Sequence, residues 1–488
     1  MSTASISLVN DRQIHIKTKI VCTIGPKTQS VEMLGKLIDA GMNVMRLNFS
    51  HGSHEYHAQT IANLRTYLSQ CENPPTVAIM LDTKGPEIRT SKLQNGKEIK
   101  LKKNSSFTFY TDYSILGDET CVSVSYSSLD SSVKAGDLIL VDDGLIACEV
   151  VETGPGFVKT RILNDGLLGE VKGVNLPKIK VALPALTEKD IQDLHFGIAQ
   201  GVDFVAASFI RKASDVVEIR KLLGSSNIRI ISKIENEEGL ENFDEILAAS
   251  DGIMVARGDL GVEIPVEQVF RAQKMMIKKC NAVGKPCITA TQMLESMIVN
   301  PRPTRAEATD VANAVLDGSD CVMLSGETAK GAYPIEAVTI MARICREAEA
   351  DINYAEVYGA IKKNTKIPIS VSEAIASSAV KTAWDIQAPL IIALTETGAT
   401  ALAVNKYRPI PPVFGVTADP QVARQMQVLR GIYPLLVLTM HGTDSIVKNA
   451  MDHAISSKMV IKGDISVVTS GIIEQVSGST NVLRVLKI

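Results

Sequence analysis

Residues 228–259 read IRIISKIENEEGLENFDEILAASDGIMVARGD and contain two short apolar runs, each followed by charged residues. The runs at 228–232 and 252–255 have the length and composition of buried parallel strands, and the stretch between them has the pattern of a connecting helix. Glu235 follows the first run and Asp259 follows the second. The segment therefore predicts a strand–helix–strand unit with carboxylates where its strands end.

Apolar runs of this kind recur eight times between residues 17 and 348, with helical patterns such as 31–40, 189–200 and 305–316 between them. The predicted strands lie at residues 19–24, 44–47, 77–81, 204–208, 228–232, 252–255, 286–289 and 321–324. Eight nearly continuous apolar strands covered by helices favour an α/β fold of the closed (β/α)8 TIM-barrel type. An open, doubly wound sheet is the alternative.

Two segments depart from this rhythm. Between residues 86 and 184, polar strand-like runs with Gly-Asp and Asp-Gly turns predict an inserted all-β, barrel-like lid domain. Near the C-terminus, strand patterns at 390–394, 413–416, 435–438, 465–468 and 482–485 predict a separate α/β domain with a parallel sheet. The predicted N-terminal extension covers residues 1–16, and the predicted barrel covers residues 17–85 and 185–354. The inserted lid is predicted at residues 86–184 and the C-terminal domain at residues 355–488.

The composition narrows the class of protein. The chain has 488 residues, of which 45% are hydrophobic and 22% charged, with a formal net charge of -3. No run of Lys or Arg is long enough to follow a nucleic acid backbone, so no nucleic acid partner is expected. No signal peptide and no run of about 18 apolar residues is found, which predicts a cytoplasmic protein without membrane contact. The eight cysteines include no Cys-x-x-Cys pair, so free thiols are expected.

Polar residues collect where the predicted barrel strands end, which is where barrel enzymes carry their catalytic groups. Simple solvation of a strand end would explain one such cluster. Six clusters would all face the same mouth of the barrel, which favours a functional site there. The six segments are residues 46–51, 82–84, 233–236, 256–259, 291–292 and 325–327.

Glu235 and Asp259 close neighbouring strands, so their carboxylates can share one hard cation such as Mg²⁺. Taken alone, Glu235 would serve equally well as the cap of a helix that begins near residue 237. Lys233 lies on the same strand face and is expected to stabilise charge that develops on an oxygen. The structural alternative for Lys233 is a plain ion pair with Glu235.

Arg46 follows an apolar run and is a candidate bidentate clamp for phosphate, or else a structural arginine paired inside the barrel rim. His51, His54 and His57 lack the spacing of a metal motif and are interpreted as a helix start. The Asp-Asp-Gly sequence at 142–144 is interpreted as a hairpin turn. The sequence contains neither a Gly-x4-Gly-Lys-Ser/Thr loop nor a Gly-x-Gly-x-x-Gly motif, the two common glycine-rich motifs that bind nucleotide phosphates. A nucleotide would therefore be held by side chains.

Six longer motifs then resemble the pyruvate kinase family. They are MRLNFSHG at 45–52, LDTKGPEIRT at 81–90, ISKIEN at 231–236, MVARGDLG at 254–261, ATQMLESM at 290–297 and MLSGETAKG at 323–331. They occur in order, and the resemblance runs from about residue 17 to the C-terminus. It implies phosphoryl transfer from phosphoenolpyruvate to ADP, giving pyruvate and ATP in the last step of glycolysis, by a homotetramer.

The resemblance also implies a role for each site residue. Lys233, Arg46 and Thr291 would be catalytic, and Glu235 and Asp259 would hold Mg²⁺ or Mn²⁺. A K⁺ site would consist of Asn48, Ser50, Asp82 and Thr83. The substrate carboxylate would bind beside Lys233 and Arg46, at Ala256, Arg257, Gly258 and Thr291. The nucleotide would bind at Arg89 and Lys172. Whether Thr291 or a water protonates the enolate stays open.

The C-terminal domain differs from part of the family. Thr395, Thr397 and Thr400 resemble the family's effector phosphate loop, but residues 471–474 read GIIE where sugar-diphosphate-activated members carry Trp-Arg-Pro-Gly. Two other functions compete with a kinase. A metal-dependent, enolate-forming lyase would leave Arg89 without a nucleotide, and an inactive metabolite-binding scaffold would be favoured by loss of Lys233 or of the metal carboxylates, all of which are present.

Overall fold

The computed structural model describes residues 16–472, 478 and 480–488. Nearly all of the predicted N-terminal extension lies outside these residues, as do Ile473 and Glu474 of the altered effector segment. The chain begins with three strands and two helices, β1 (Lys19–Thr23), α1 (Val31–Ala40), β2 (Met42–Asn48), α2 (His54–Gln70) and β3 (Ala78–Asp82). Ser30 and Ser53 cap the two helices through their side chains, as small hydroxyl residues commonly do.

The next segment is the inserted lid. Its nine strands and one helical turn are β4 (Ile88–Arg89), β5 (Ile99–Leu101), β6 (Ser106–Tyr110), β7 (Cys121–Ser123), α3 (Leu129–Ser132), β8 (Leu138–Val141), β9 (Ile146–Gly154), β10 (Phe157–Ile162), β11 (Gly166–Leu168) and β12 (Gly173–Asn175). Seven of them form one sheet in the order β4-β12-β8-β9-β10-β6-β7, and β11 pairs with β5. The residues predicted as a hairpin turn at 142–144 join β8 to β9, as expected.

The barrel then continues. Its remaining strands and helices are α4 (Glu188–Gln200), β13 (Phe204–Ala207), α5 (Ala213–Leu223), β14 (Arg229–Ile234), α6 (Glu237–Glu241), α7 (Phe243–Ala249), β15 (Gly252–Ala256), α8 (Arg257–Glu263), α9 (Val269–Val283), β16 (Cys287–Ala290), α10 (Arg305–Leu316), β17 (Cys321–Leu324), α11 (Gly326–Ala329) and α12 (Pro334–Ala350). All eight predicted strands are present and close in the order β1-β17-β16-β15-β14-β13-β3-β2. The closed barrel is therefore confirmed over the open sheet.

The C-terminal domain contains α13 (Tyr354–Asn364), α14 (Val371–Asp385), β18 (Leu390–Leu394), α15 (Ala399–Lys406), β19 (Val413–Thr417), α16 (Pro420–Gln425), β20 (Ile432–Leu436), α17 (Thr443–Ser456), β21 (Ile465–Gly471) and β22 (Thr480–Lys487). Short 3-10 helices lie at Val266–Gln268, Glu295–Ile298 and Met426–Val428. The sheet has the order β20-β19-β18-β21-β22. The domain boundaries predicted at 86 and 185 fall between these elements, whereas the one at 355 falls inside α13, one residue after its start. All three stay predictions.

Two details of the C-terminal sheet differ from the prediction. The strand predicted at 435–438 lies at Ile432–Leu436, because β20 is an edge strand and an edge tolerates the missing N–H of Pro434. The sheet is not wholly parallel, since β22 runs antiparallel to β21. The connection from residue 471 to residue 480 is too short for the crossover that a parallel pair needs.

The C-terminal domain covers the end of the barrel at which the strands begin. Asp203 and Asp320 precede β13 and β17, and they form ion pairs with Arg424 (2.9 Å) and Arg408 (2.6 Å) of the C-terminal domain. The buried side chains inside the barrel also belong to the same apolar cluster as those of the C-terminal sheet. Only the opposite mouth, where the strands end, faces the lid.

Candidate active site

The centre of the barrel mouth is the ammonium group of Lys233, which β14 carries to its end. Its Nζ lies 2.9 Å from Glu235 Oε1 and 3.1 Å from Asp82 Oδ1, and it donates to Ser208 Oγ at 2.7 Å. Arg46, at the end of β2, donates through Nε to the other oxygen of Asp82 at 2.7 Å. The structure thus brings four charged residues from three strands into one buried network.

In this network, burial and the neighbouring opposite charges shift the pKa of each ionisable side chain in opposite directions. Burial alone would lower the pKa of Lys233, but Asp82 and Glu235 outweigh it and hold that pKa well above its usual value. Burial raises the pKa of Glu235 to about 7, although Lys233 opposes the shift. For Asp82, Arg46 and Lys233 together overcome the effect of burial and hold the pKa low. Lys233 therefore stays a cation at the floor of the mouth, where the Arg46 guanidinium shares Asp82 with it.

Both structural alternatives are also present in the geometry. Lys233 does form an ion pair with Glu235, and Arg46 is paired with Asp82 and with the hydroxyl of Thr23 at 2.8 Å. Glu235 does not cap the following helix, because Asn236 accepts from the Gly239 amide and occupies that position. Instead, Glu235 accepts a hydrogen bond from the backbone N–H of Phe209 at 2.5 Å.

Asp259 lies on the first turn of α8 and lines the cleft between the barrel and the lid. Among the described residues its carboxylate has no hydrogen-bond or ion-pair partner. Glu235 and Asp259 follow neighbouring strands, and carboxylate oxygens are the ligands that Mg²⁺ prefers. No group of three or more Cys, His, Asp and Glu residues suited to a metal occurs in the described part of the chain. The site therefore fits a cation that takes two protein carboxylates and completes its shell with substrate and water oxygens.

The residues predicted to receive the substrate carboxylate meet where β15 and β16 end. Ala256 closes β15, and Gly258 packs so closely on Thr291 that an added Cβ would lie 2.7 Å from the Thr291 methyl group. Thr291 has a φ of +74°, an unusual backbone for a β-branched residue. The side chain of Arg257 points elsewhere, because it is paired with Asp310 at 2.7 Å and donates to the Thr291 carbonyl.

The four residues of the predicted K⁺ site lie around the same network. Asn48 ends β2 and its Oδ1 accepts from the Ser50 amide at 3.0 Å, while the Thr83 hydroxyl accepts from the Ser208 amide at 3.1 Å. Asp82 is shared, since its side chain already serves Arg46 and Lys233. The set offers several oxygen atoms on one side of a buried aspartate.

The histidines that follow β2 agree with their interpretation as a helix start, since His54 and His57 lie in α2. His54 begins α2 and its Nε2 lies 2.7 Å from Asp193, while His57 contacts the carbonyl of His51 at 2.9 Å. The ring of His57 also stacks on Phe49, with 4.1 Å between the centroids. These contacts fix the loop that follows β2.

The lid carries the two predicted nucleotide cations across the mouth. Arg89 ends β4 and lies 2.5 Å from Glu87, and Lys172, next to β12, lies 3.0 Å from Asp142. Both line a cleft of about 290 Å³ whose opposite wall includes Asp259. The lid therefore brings cations to the open side of the barrel mouth.

The predicted effector loop contains little free hydroxyl surface. Thr395 and Thr400 are buried, and the Thr400 hydroxyl lies 2.6 Å from that of Thr480. The carbonyl of Thr397 accepts from Arg229 of the barrel at 3.1 Å. The residues that would contact a second phosphate at 473 and 474 lie outside the described residues.

Sequence reasoning missed two residues of the mouth. Ser208 binds the Lys233 ammonium, and it follows β13, one of the two barrel strands whose polar ends were not singled out. Arg211 is buried, and its guanidinium donates to the carbonyls of Val181 at 2.9 Å and Leu183 at 2.5 Å, on the segment by which the lid returns to the barrel. Its only sequence signal was a basic residue shortly after a barrel strand.

A closed barrel with buried cations and acids at its mouth, beneath a lid that adds further cations, defines an enzyme that acts on small anions. Comparison with known proteins gives the family. The pyruvate kinase barrel-domain model matches residues 15–338, and the pyruvate kinase alpha/beta-domain model matches residues 373–486. The chain belongs to the pyruvate kinase family of transferases.

Relatives from distant organisms agree. The chain is 54% identical to a pyruvate kinase of Eimeria tenella, over 96% of this chain and 89% of the relative, and 54% identical to one of Dictyostelium discoideum, over 99% and 96%. A cytosolic pyruvate kinase isozyme of Glycine max is 51% identical over 92% of each. A crystal structure of a Cryptosporidium parvum pyruvate kinase superposes with a TM-score of 0.93 at 48% identity, covering 97% of this chain and 96% of that one. Neither the lyase nor the scaffold alternative is favoured by these relatives.

Proposed function

We propose that this enzyme transfers the phosphoryl group of phosphoenolpyruvate to ADP, giving pyruvate and ATP, with Lys233 and Arg46 holding the transferring group. The observation that carries the proposal is the pair of buried cations, Lys233 and Arg46, that share Asp82 at the barrel mouth. Phosphoryl transfer depends mainly on positioning and on stabilising the charge of the transferred group. Lys233 reaches the mouth from β14 and Arg46 from β2, so an anion between them would be held from two sides.

Glu235 and Asp259 would hold Mg²⁺ or Mn²⁺. When bound, the divalent cation supplies positive charge beside the phosphoryl and enolate oxygens. Three carboxyl groups, on Glu235, Asp259 and Asp82, accompany two cations, Lys233 and Arg46, and an anionic substrate adds further negative charge. The acidic excess supports a cation requirement.

Asn48, Ser50, Asp82 and Thr83 would bind K⁺ through oxygen atoms. Ala256, Arg257, Gly258 and Thr291 would contact the substrate carboxylate, with backbone N–H groups as donors because the Arg257 guanidinium is engaged by Asp310. The enolate formed on phosphoryl loss must then gain a proton at carbon. Thr291 and a bound water both remain candidates for that donor.

Arg89 and Lys172 would hold the phosphates of ADP on the lid side of the cleft. Closing the lid over the mouth would exclude water, which otherwise competes with ADP as the phosphoryl acceptor. A lyase would have no use for these two cations.

The test is a coupled assay for pyruvate formation from phosphoenolpyruvate, with ADP and Mg²⁺ each present or omitted in potassium buffer. Turnover that requires both is expected. Pyruvate release without ADP would favour the lyase, and no turnover under any condition would favour the scaffold.

We also propose a homotetramer located in the cytoplasm. Val266, Phe270 and Val299 are 76%, 57% and 71% exposed, and β22 leaves one edge of the C-terminal sheet unpaired within the described chain. Exposed apolar groups and open strand edges are common at subunit contacts. No helix in the described part of the chain is long and apolar enough to cross a membrane. Sedimentation at micromolar protein tests the tetramer, and microscopy of the tagged chain tests the location.

A further inference from the structure

One side-chain hydrogen bond joins the lid directly to the end of a barrel helix. Asn175, the last residue of β12, donates through Nδ2 to Oε1 of Glu263, the last residue of α8, at 2.8 Å. Both side chains are half-buried. Within the described part of the chain, Asn175 is the only hydrogen-bond partner of the Glu263 carboxylate.

Each end of this contact belongs to a different half of the active site. Lys172 immediately precedes β12, and Gly173 of β12 pairs with Arg89 of β4, so Asn175 lies on the strand pair that carries both proposed nucleotide cations. Glu263 lies one helical turn after Asp259 on α8, the helix that follows β15. The hydrogen bond therefore connects the nucleotide side of the cleft to the substrate side.

Other interactions between the lid and the barrel act at different points. Asp143 of the lid and Asp259 of α8 line the same cleft, and two carboxyl groups on opposite walls give no attraction that would hold the lid closed. Arg211 binds the returning segment at Val181 and Leu183, several residues beyond β12, so this contact does not reach the strand that carries Asn175. A specific attraction at the rim is needed to hold the closed position.

We propose that the Asn175–Glu263 hydrogen bond is a latch that holds the lid closed and sets the distance between the nucleotide cations and the barrel mouth. Asn175 and Glu263 are positioning residues, since they act through Lys172, Arg89 and Asp259. The inference rests on the proposed binding of ADP phosphates at Arg89 and Lys172. Loss of the latch should weaken ADP binding while leaving the binding of phosphoenolpyruvate almost unchanged.

The experiment exchanges donor and acceptor. Asn175→Asp places two carboxylates against each other and should raise the KM for ADP about tenfold, the size expected from one hydrogen bond to a charged group. Glu263→Gln keeps an acceptor oxygen and should raise it less than threefold. The double variant Asn175→Asp/Glu263→Gln restores a hydrogen bond in the opposite sense and keeps the total charge, so its KM for ADP should return to within about threefold of wild type. The KM for phosphoenolpyruvate should change less than twofold throughout.

Lys180→Gln is the matched control, because the Lys180–Glu241 pair also joins the lid segment to the barrel but is largely exposed, with 3.1 Å between its charged atoms. Exposed pairs contribute little, so less than a twofold change is expected. If the double variant binds ADP no better than Asn175→Asp alone, or if Lys180→Gln is equally damaging, the latch is refuted.

Hydrogen exchange of the full-length protein without ligands gives a readout independent of catalysis. Asn175→Asp should increase exchange in peptides covering residues 172–181 and 257–264, and the double variant should restore protection. Unchanged exchange in Asn175→Asp would overturn the latch. Restored protection combined with a Lys172→Met variant of unchanged KM for ADP would support the latch and refute the proposed nucleotide site instead.

Discussion

Replacing Lys233 by Met removes the central cation of the mouth while keeping a side chain of similar length. The ammonium serves Asp82, Ser208 and Glu235 at once and is only 8% exposed. Removing one partner of a buried ion pair costs about 3–5 kcal/mol in stability. Asp82 keeps Arg46, so the lower end, about 3 kcal/mol, is expected.

The effect on catalysis should be of similar size in free energy and should appear in kcat. A preorganised donor aimed at developing charge contributes about 2.7–4 kcal/mol to the barrier, which is about 100- to 1,000-fold in kcat. Because Lys233 acts on charge that develops during transfer, kcat should fall by at least that factor while the KM for phosphoenolpyruvate rises less than about tenfold. Steady-state kinetics in saturating Mg²⁺ and K⁺, together with the thermal unfolding midpoint, measure both quantities.

Lys19→Met provides the control, because Lys19 is an equally buried lysine at the opposite end of the barrel. Its Nζ donates to the Ile432 carbonyl at 2.6 Å, far from the mouth. This variant should lose stability but keep kcat within about twofold. A folded Lys233→Met enzyme with near wild-type kcat, or an equal kcat loss in Lys19→Met, would show that the role given to Lys233 is wrong.

Three further predictions concern ions, pH and control. If Asn48, Ser50, Asp82 and Thr83 bind K⁺ as proposed, activity should rise strongly in K⁺ over tetraalkylammonium buffer, and equal rates in both would contradict the K⁺ site. Burial lowers the pKa of Lys19 to about 8, below its unfolded value, so the folded state holds fewer protons above pH 8. The free energy of unfolding of the wild type, relative to that of Lys19→Met, should therefore rise by up to about 1.4 kcal/mol per pH unit between pH 8 and pH 10. A difference between the two chemical denaturation midpoints that does not change with pH would refute this. Fructose 1,6-bisphosphate should not shift phosphoenolpyruvate saturation curves, because Thr400 is already engaged and the GIIE segment at 471–474 lacks the Arg of Trp-Arg-Pro-Gly and puts Glu474 near its position. A clear leftward shift at micromolar effector would overturn this prediction.

The barrel could be predicted because each of its strands is a short run of apolar residues with helical sequence on both sides. The run at 252–255 differs by one residue from the observed Gly252–Ala256, and its carboxylate Asp259 lies at the mouth as expected. Where a breaker residue intervenes, the same reasoning fails. Pro434 moved the predicted strand towards Leu438, because edge position is a property of the sheet order and not of local sequence.

The network at the mouth could be predicted only in part, because its contacts depend on register between strands that are far apart in the chain. Asn48 pairs with Asp82, and this register places the Asp82 carboxylate between Arg46 and Lys233. The sequence reasoning gave Asp82 only a role at K⁺. Nothing in the local pattern around Asp82 indicates that it would pair with two cations.

The barrel mouth and the lid side of the cleft are held by different numbers of contacts. Mutations in the two places should therefore affect different kinetic constants. The cations and acids of the mouth stand at the ends of hydrogen-bonded parallel strands, and buried ion pairs between them leave little freedom to move. The nucleotide cations reach the mouth only through the lid, which is fixed by Arg211 at its return segment and by the Asn175–Glu263 contact at its rim. Changes at the mouth should therefore act mainly on kcat, whereas changes at the junction between lid and barrel should act mainly on the KM for ADP.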